Sequence, residues 1–229
     1  MKITVDSLAE SPGYTVLKRW IPEEDLREIS EIELSPLRGK TAQGLYWANS
    51  DHTLRPDLAL WWSQQVRDHP TVQKVAALCI SAINAVFDRP RVYSADCIVN
   101  TPANQQKVYP HLDTPYRFPQ WHKSRDMLAV QFLIPLGEFT AENGATAVVE
   151  NSHRYLWNIN DLYTGVYDQW FLDNLKQVSM QPGDILVYNP RLLHSTMPNH
   201  TDKDRRALLI SVMDHMLAET LIDVDNIWL

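Results

Sequence analysis

What most constrains this chain is a single change of pattern near residue 90. Before it, apolar residues recur at helical spacing. After it, they gather in short β-branched and aromatic runs divided by turn residues. In the first part, Ser11-Pro12-Gly13 is a turn, and Pro22-Glu23-Glu24-Asp25 opens a short helix with its acids in the first turn, where the helix dipole favours them. Arg55 to Asp68 and Pro70 to Phe87 read as two further helices. Pro70 divides them, because a proline can begin a helix but the preceding one cannot pass through it. In the second, Val72, Val75, Leu78, Cys79, Ile83 and Val86 recur at helical spacing.

The second part reads as strands at Val92 to Asn100, Met127 to Pro135, Ala145 to Glu150, Ile185 to Tyr188 and Ala207 to Asp214. Between them lie Thr101-Pro102, Glu142-Asn143-Gly144, Gln181-Pro182-Gly183-Asp184 and Asn189-Pro190, all turn chemistry. Short strands with punctuated turns and no alternating helices predict a mainly β sandwich or barrel rather than a parallel sheet. One helix, about 158–175, interrupts the strands, and 216–229 packs as a helix or arm. The expectation is one domain over 1–229, with a mostly helical part at 1–90, a β core at 91–214 and a C-terminal arm at 215–229.

Composition removes several classes of function. With 21 Lys plus Arg against 28 Asp plus Glu the formal charge is −7, which disfavours binding to a phosphate backbone. The opening MKITVDSLAE lacks the apolar stretch of a signal peptide, and no apolar run approaches a membrane span. A cytoplasmic location without a membrane partner is therefore expected. The two cysteines, Cys79 and Cys97, lie in apolar runs and read as buried inert thiols.

The chemistry gathers in the β part. Tyr109-Pro110-His111-Leu112-Asp113 carries a histidine and a carboxylate two residues apart, so a strand would point both to the same face. Alone, His-x-Asp arises often by chance. A second histidine, His194, follows the strand Ile185 to Tyr188 and the turn Asn189-Pro190-Arg191. Two histidines and one carboxylate form the facial triad of iron(II) oxygenases, although zinc could use the same ligands. Arg205 follows His194 by eleven residues at the mouth of the next strand. An antiparallel return would bring its planar fork back beside the metal, suited to a carboxylate. Taken alone, Arg205, like Arg206, reads as a solvated charge at a strand start.

Taken together, His111-Leu112-Asp113, Glu142-Asn143-Gly144, Ser152-His153-Arg154, Pro182-Gly183-Asp184, His194-Ser195-Thr196, Asn199 and Arg205 give a chain that resembles the phytanoyl-CoA dioxygenase-type iron(II)/2-oxoglutarate oxygenases. The resemblance runs over about residues 108–214 and implies a double-stranded β-helix, the cupin-like jelly roll, with flanking helices. It implies that His111, Asp113 and His194 ligate Fe(II), and that Arg205, with Thr196 and Gln131 as further contacts, holds the cosubstrate 2-oxoglutarate. The implied reaction uses O₂, releases succinate and CO₂, and hydroxylates an unactivated C–H of a small molecule. Relatives that halogenate lack the triad carboxylate, so Asp113 favours hydroxylation or a related oxidation. Where the family usually has Pro-Gly before Ser-His-Arg, this chain has Glu150-Asn151. Asparagine is the residue other than glycine that best tolerates a left-handed turn. His153 reads as structural.

The stretch 114–126 would lie over the site mouth. Tyr116, Arg117 and Trp121 within it are candidate substrate contacts, suggesting an apolar body with an anionic group, although the same aromatics could anchor the loop. Trp47 reads as core or lid. Two other functions fit the sequence: a cupin-like zinc or manganese isomerase or hydrolase that does not use 2-oxoglutarate, and a non-catalytic jelly roll that binds a small molecule. The oligomeric state is not legible.

Overall fold

The structure, a computed structural model, describes residues 3, 8–10, 12–32, 58–61, 64–83, 86–102, 108–118 and 120–220. In chain order the elements are β1 (Tyr14–Leu17), α1 (Glu23–Ser30), β2 (Leu58–Trp61), α2 (Gln64–Asp68), α3 (Pro70–Ala82), β3 (Pro90–Asn100), β4 (Ala129–Pro135), β5 (Ala147–Val148), a 3₁₀ turn (Ser152–Arg154), α4 (Ile159–Tyr163), α5 (Asp168–Asn174), β6 (Lys176–Gln177), β7 (Ile185–Tyr188), β8 (His194–Ser195) and β9 (Arg205–Asp214). The strands form two antiparallel sheets, a six-stranded one ordered β1-β7-β4-β9-β3-β2 and a three-stranded one ordered β6-β5-β8. A bridge from His111 to His194 continues the smaller sheet past β8.

Side-chain alternation divides the large sheet into two faces. On one face Ala95, Cys97, Val130, Phe132, Ile134, Ile185, Val187, Leu208, Ile210 and Val212 form one core with the helices. There α3 contributes Val72, Val75, Ala76, Cys79 and Ala82 at its 3.6-residue period, and α1 contributes Leu26 and Ile29. Each such aliphatic side chain buried adds roughly 1.5–3 kcal/mol, so the helical part is held by the sheet it covers. The other face looks toward the small sheet: Leu133, Leu186, Tyr188 and Ala207 pack with Ala145 and Val148. A polar row crosses this inner face, with Ser94 opposite Ser211, Ser211 opposite Gln131, and Gln131 opposite Tyr188.

Several expectations are corrected. The segment read as one helix, Arg55 to Asp68, contains β2 and then α2, and β2 pairs with β3 from Leu58↔Asn100 to Trp61↔Cys97. A four-residue apolar run such as Leu58–Trp61 carries too few positions for its period to separate strand from helix. The first part also holds β1, which pairs with β7 along Tyr14↔Tyr188 to Leu17↔Ile185. The single helix at 158–175 is two, parted by Gly165 at φ 78°, a left-handed residue that ends the first. The strand read at Ala145 to Glu150 shrinks to Ala147–Val148. After β9, residues 215–220 are helical, while 221–229 and Trp47 lie outside the described residues. No helix among the described residues is long and apolar enough to cross a membrane.

Candidate metal centre

The chain builds the centre where the two sheets meet. His111 and His194 exchange backbone hydrogen bonds, His111 N–H donating to His194 O at 3.0 Å and His194 N–H to His111 O at 3.3 Å. Their rings stand 4.3 Å apart. Each imidazole has Nδ1 on the carbonyl two residues before it, Tyr109 O at 2.7 Å for His111 and Leu192 O at 2.8 Å for His194. A carbonyl can only accept, so both Nδ1 atoms carry the proton and the Nε2 atoms are the nitrogens that would bind a metal. Asp113 faces them, with Oδ1 3.6 Å from His111 Nε2 and Oδ2 3.3 Å from His194 Nε2. One donor atom from each of the three residues lies within 4.8 Å of the others, and this is the one such cluster found among the described residues. Bonds of about 2.0–2.2 Å meeting near a right angle set donors roughly 3 Å apart, so the set fits a single ion with little movement.

Electrostatics agree with a cation site. Burial and the neighbouring His194 pull His111 down to about 4, against the attraction of Asp113. Burial would push Asp113 up, but the charge and hydrogen bond of His194, with His111 and Tyr188 behind them, hold it below the usual carboxylate range. Burial lowers His194 as well, yet Asp113 outweighs that and leaves it raised. A divalent ion bound by these three residues would be drawn by the same carboxylate that holds His194 raised.

Two supports hold Asp113, and sequence reasoning found neither. Its backbone N–H donates to Pro190 O at 2.9 Å, and Tyr188 Oη donates to Oδ2 at 2.7 Å. The only signal for Tyr188 was its place two residues after Leu186, on the inward face of a short strand. Arg191, in the same turn, donates to Ser124 O and, at 2.8 Å, to Tyr155 O, tying the loop at 114–126 to the 3₁₀ turn.

Arg205 opens β9 opposite Asn100. It is 3% exposed, and its Nε, Nη1 and Nη2 have no hydrogen-bond partner among the described residues. The guanidinium stacks on Phe139, 4.2 Å from the ring centre. Burial pulls it down to about 9, still protonated at neutral pH. A buried cation with every donor unpaired is costly unless an anion completes it. The turn before β9 is fixed by Asn199, whose amide donates to Asn100 O and Lys203 O while its Oδ1 accepts from Thr201.

The other expected residues divide. Gln131 is buried on the inner face and accepts from Ser211 at 2.6 Å, which leaves its amide NH₂ as the donor group. Thr196 is half-buried just past His194, its carbonyl accepting from Ser195 Oγ. Tyr116, expected to touch substrate, is fully buried; its hydroxyl donates to Asp126 O and accepts from Leu128 N at 2.8 Å. It anchors the loop instead. Arg117 and Trp121 are half-buried, Trp121 packing at an edge on Phe118 and beside Ala129 and Met213. Arg117 faces Asp96, a buried acid on the inner face of β3 that the sequence reading passed over. Burial pushes Asp96 up to about 7, with Ser94 and Arg117 opposing and Asp113 adding to it. His153 is structural, its Nε2 2.9 Å from Ala9 O, and Asn151 stands at φ 67°, keeping the left-handed turn that Gly would make.

With this geometry in place, comparison with known proteins gives the family. The family model described as phytanoyl-CoA dioxygenase (PhyH) matches residues 9–207. The chain belongs to the phytanoyl-CoA dioxygenase family. Its curated relatives in this family's chemistry include the dioxygenase olcK of Penicillium canescens, 36% identical over 89 residues, which are 39% of this chain and 27% of that protein. The dioxygenase andF of Emericella variicolor is 31% identical over 111 residues, 48% of this chain and 34% of that protein. The matches thus span about a third or less of those relatives. Among solved structures, HygX from Streptomyces hygroscopicus, solved with nickel and 2-oxoglutarate, superposes with a TM-score of 0.62 at 16% identity, over 89% of this chain and 84% of that one. The non-heme alpha ketoglutarate dependent epimerase SnoN gives 0.60 at 17% identity, over 89% and 79%. At such identities the likeness establishes the fold, and for this PhyH-family chain that fold is the cupin-like jelly roll.

Proposed function

We propose that this phytanoyl-CoA dioxygenase-family protein is a non-haem Fe(II)- and 2-oxoglutarate-dependent dioxygenase acting on a small molecule. One observation carries the reading beyond metal binding: Arg205 is buried with no partner for its three guanidinium nitrogens among the described residues, and it opens a strand of the large sheet on the face turned toward the small sheet that carries His194. A zinc isomerase or hydrolase needs no cosubstrate to fill such a group, whereas the distal carboxylate of 2-oxoglutarate would complete it by two charge-assisted hydrogen bonds.

In this reading His111, Asp113 and His194 hold iron through the two Nε2 atoms and one carboxylate oxygen, leaving three positions open. Iron with 2-oxoglutarate and O₂ supplies an oxidant able to attack an unactivated C–H. The chain's own residues position and enclose. The two Nδ1–carbonyl bonds fix the imidazole tautomers, and Arg205 takes the cosubstrate's far carboxylate. The amide NH₂ of Gln131 and the hydroxyl of Thr196 are further donors toward it, and the apolar inner rows Leu133, Leu186 and Ala207 keep water out.

Arg117 and Trp121 at the mouth, with Asp96 deeper, would meet the substrate. A carboxylate beside the guanidinium disfavours a strongly anionic group there and favours a neutral donor–acceptor such as a hydroxyl. A formal charge of −7 supports a small molecule over nucleic acid, and a cytoplasmic site of action is part of the same reading.

The test is 2-oxoglutarate consumption and succinate release by the purified protein with Fe(II) and O₂. Parent protein should form succinate slowly without substrate, and Asp113→Ala and Arg205→Gln should not. Succinate formation by the parent no faster than by Asp113→Ala would refute the proposal.

A further inference from the structure

We infer that Tyr188 is a positioning residue of the metal centre, holding Asp113 as a one-oxygen ligand so that the position needed by O₂ stays open. The inference rests on the iron reading above.

Tyr188 ends β7 with its ring on the inner face, and its hydroxyl is the nearest donor to the triad carboxylate, 2.7 Å from Asp113 Oδ2. The same oxygen lies 3.5 Å from His194 Nε2, the nitrogen that would bind metal, and the two rings meet edge to face at 5.0 Å. The phenol therefore sits at the rim of the coordination sphere. A phenol O–H facing a carboxylate oxygen is the donor of the pair, since the carboxylate can only accept.

Coordination arithmetic gives this bond a function. An ion with six positions would give three to His111, Asp113 and His194 and two to 2-oxoglutarate, leaving one for the oxidant. A free carboxylate can chelate through both oxygens and take a fourth position, which would be the one O₂ requires. A phenol donating to one oxygen ties up that oxygen's charge and directs the other at the metal. The backbone works the same way, since Asp113 N–H is held by Pro190 O at 2.9 Å, two residues past Tyr188, so one turn grips the ligand at both ends.

Tyr188→Phe removes only the hydroxyl and keeps the ring against His194. Three measurements on the full chain test it: thermal unfolding, anaerobic Fe(II) affinity, and the visible charge-transfer band that forms when 2-oxoglutarate chelates the bound iron. The fold should hold. Iron affinity should change by roughly 10- to 100-fold, as when a hydrogen-bond partner of a metal ligand is removed, and the band should shift. In an Asp113→Gly background the Tyr188→Phe change should have no further effect on iron affinity, because the hydroxyl acts through that carboxylate. Parent and Tyr188→Phe proteins with the same iron affinity and the same band would overturn the inference while leaving the iron reading intact. A Tyr188→Phe effect that persists undiminished without Asp113 would overturn it too, and a parent that binds no iron would remove both.

Discussion

Arg205→Met should make the protein more stable and worse at binding 2-oxoglutarate at the same time. Methionine keeps the unbranched length over Phe139 but carries no charge. In the parent, burial pulls the guanidinium far below its ordinary value, to about 9, which at ~1.4 kcal/mol per unit puts the cost of the buried charge at about 5 kcal/mol as an upper bound. Stacking on Phe139 returns about 2 kcal/mol of that at a desolvated site. Removing the cation should therefore stabilise the protein without cosubstrate by roughly 3 kcal/mol. With cosubstrate the balance reverses. Two charge-assisted hydrogen bonds at roughly 1.5–3 kcal/mol each are lost, weakening 2-oxoglutarate binding by about 10²- to 10⁴-fold. Urea unfolding without ligand and anaerobic calorimetry with Fe(II) and 2-oxoglutarate measure the two effects separately. A variant that is less stable and binds 2-oxoglutarate as tightly as the parent would show that Arg205 is a structural cation and not the carboxylate receptor.

Asp96→Asn should show a pH-dependent gain. The parent acid is raised from 3.8 to about 7 chiefly by burial, so the folded state loses stability as pH rises through that window, and the loss is complete above about 7. The Asn variant escapes it, so its advantage should grow from near zero at pH 4 to at most ~4 kcal/mol at pH 8; denaturation curves that differ by a constant across this range would contradict the assignment. Arg191→Met should cost roughly 2–4 kcal/mol, because the buried cation spans the carbonyls of Ser124 and Tyr155. The same change should expose residues 117–125 to proteolysis, and an unchanged digestion pattern would show that the loop is held without it.

Much of the site was legible because its chemistry lies in short, local spacings. His111 and Asp113 stand two residues apart beside the His111–His194 bridge, and His194 follows the strand Ile185–Tyr188 after one short turn, so the order of the three along the chain encodes their meeting in space. The strands β3, β4, β7 and β9 were readable for the same reason: each is a run long enough, or bounded sharply enough by turns, for its composition to decide. What escaped depends on partners far away in sequence. Tyr14–Leu17 is a strand only because Ile185–Tyr188 lies beside it, and β5, β6 and β8 are two residues each, below any period. Tyr188 and Asp96 look like ordinary members of buried strands until the inner face is known. Once β3 is in register, an acid between Ala95 and Cys97 is conspicuous, since its neighbours point at the helices and it lies on the opposite face, where Arg117 and Asp113 act on its charge. Tyr116 failed in the opposite direction: its type suited a binding wall, but its hydroxyl is engaged by Asp126 and Leu128.

The central claim is one iron held by His111, Asp113 and His194 with 2-oxoglutarate between it and Arg205. It is tested most directly by adding Fe(II) and then 2-oxoglutarate to the parent protein without oxygen while recording the visible spectrum. One equivalent of iron should bind, a charge-transfer band should form on adding 2-oxoglutarate, and air should bleach it as succinate forms. Asp113→Ala should give no band and Arg205→Met should need far more 2-oxoglutarate to reach it. A parent that takes up iron but forms no band with 2-oxoglutarate, or an Asp113→Ala protein that forms the same band, would contradict the claim.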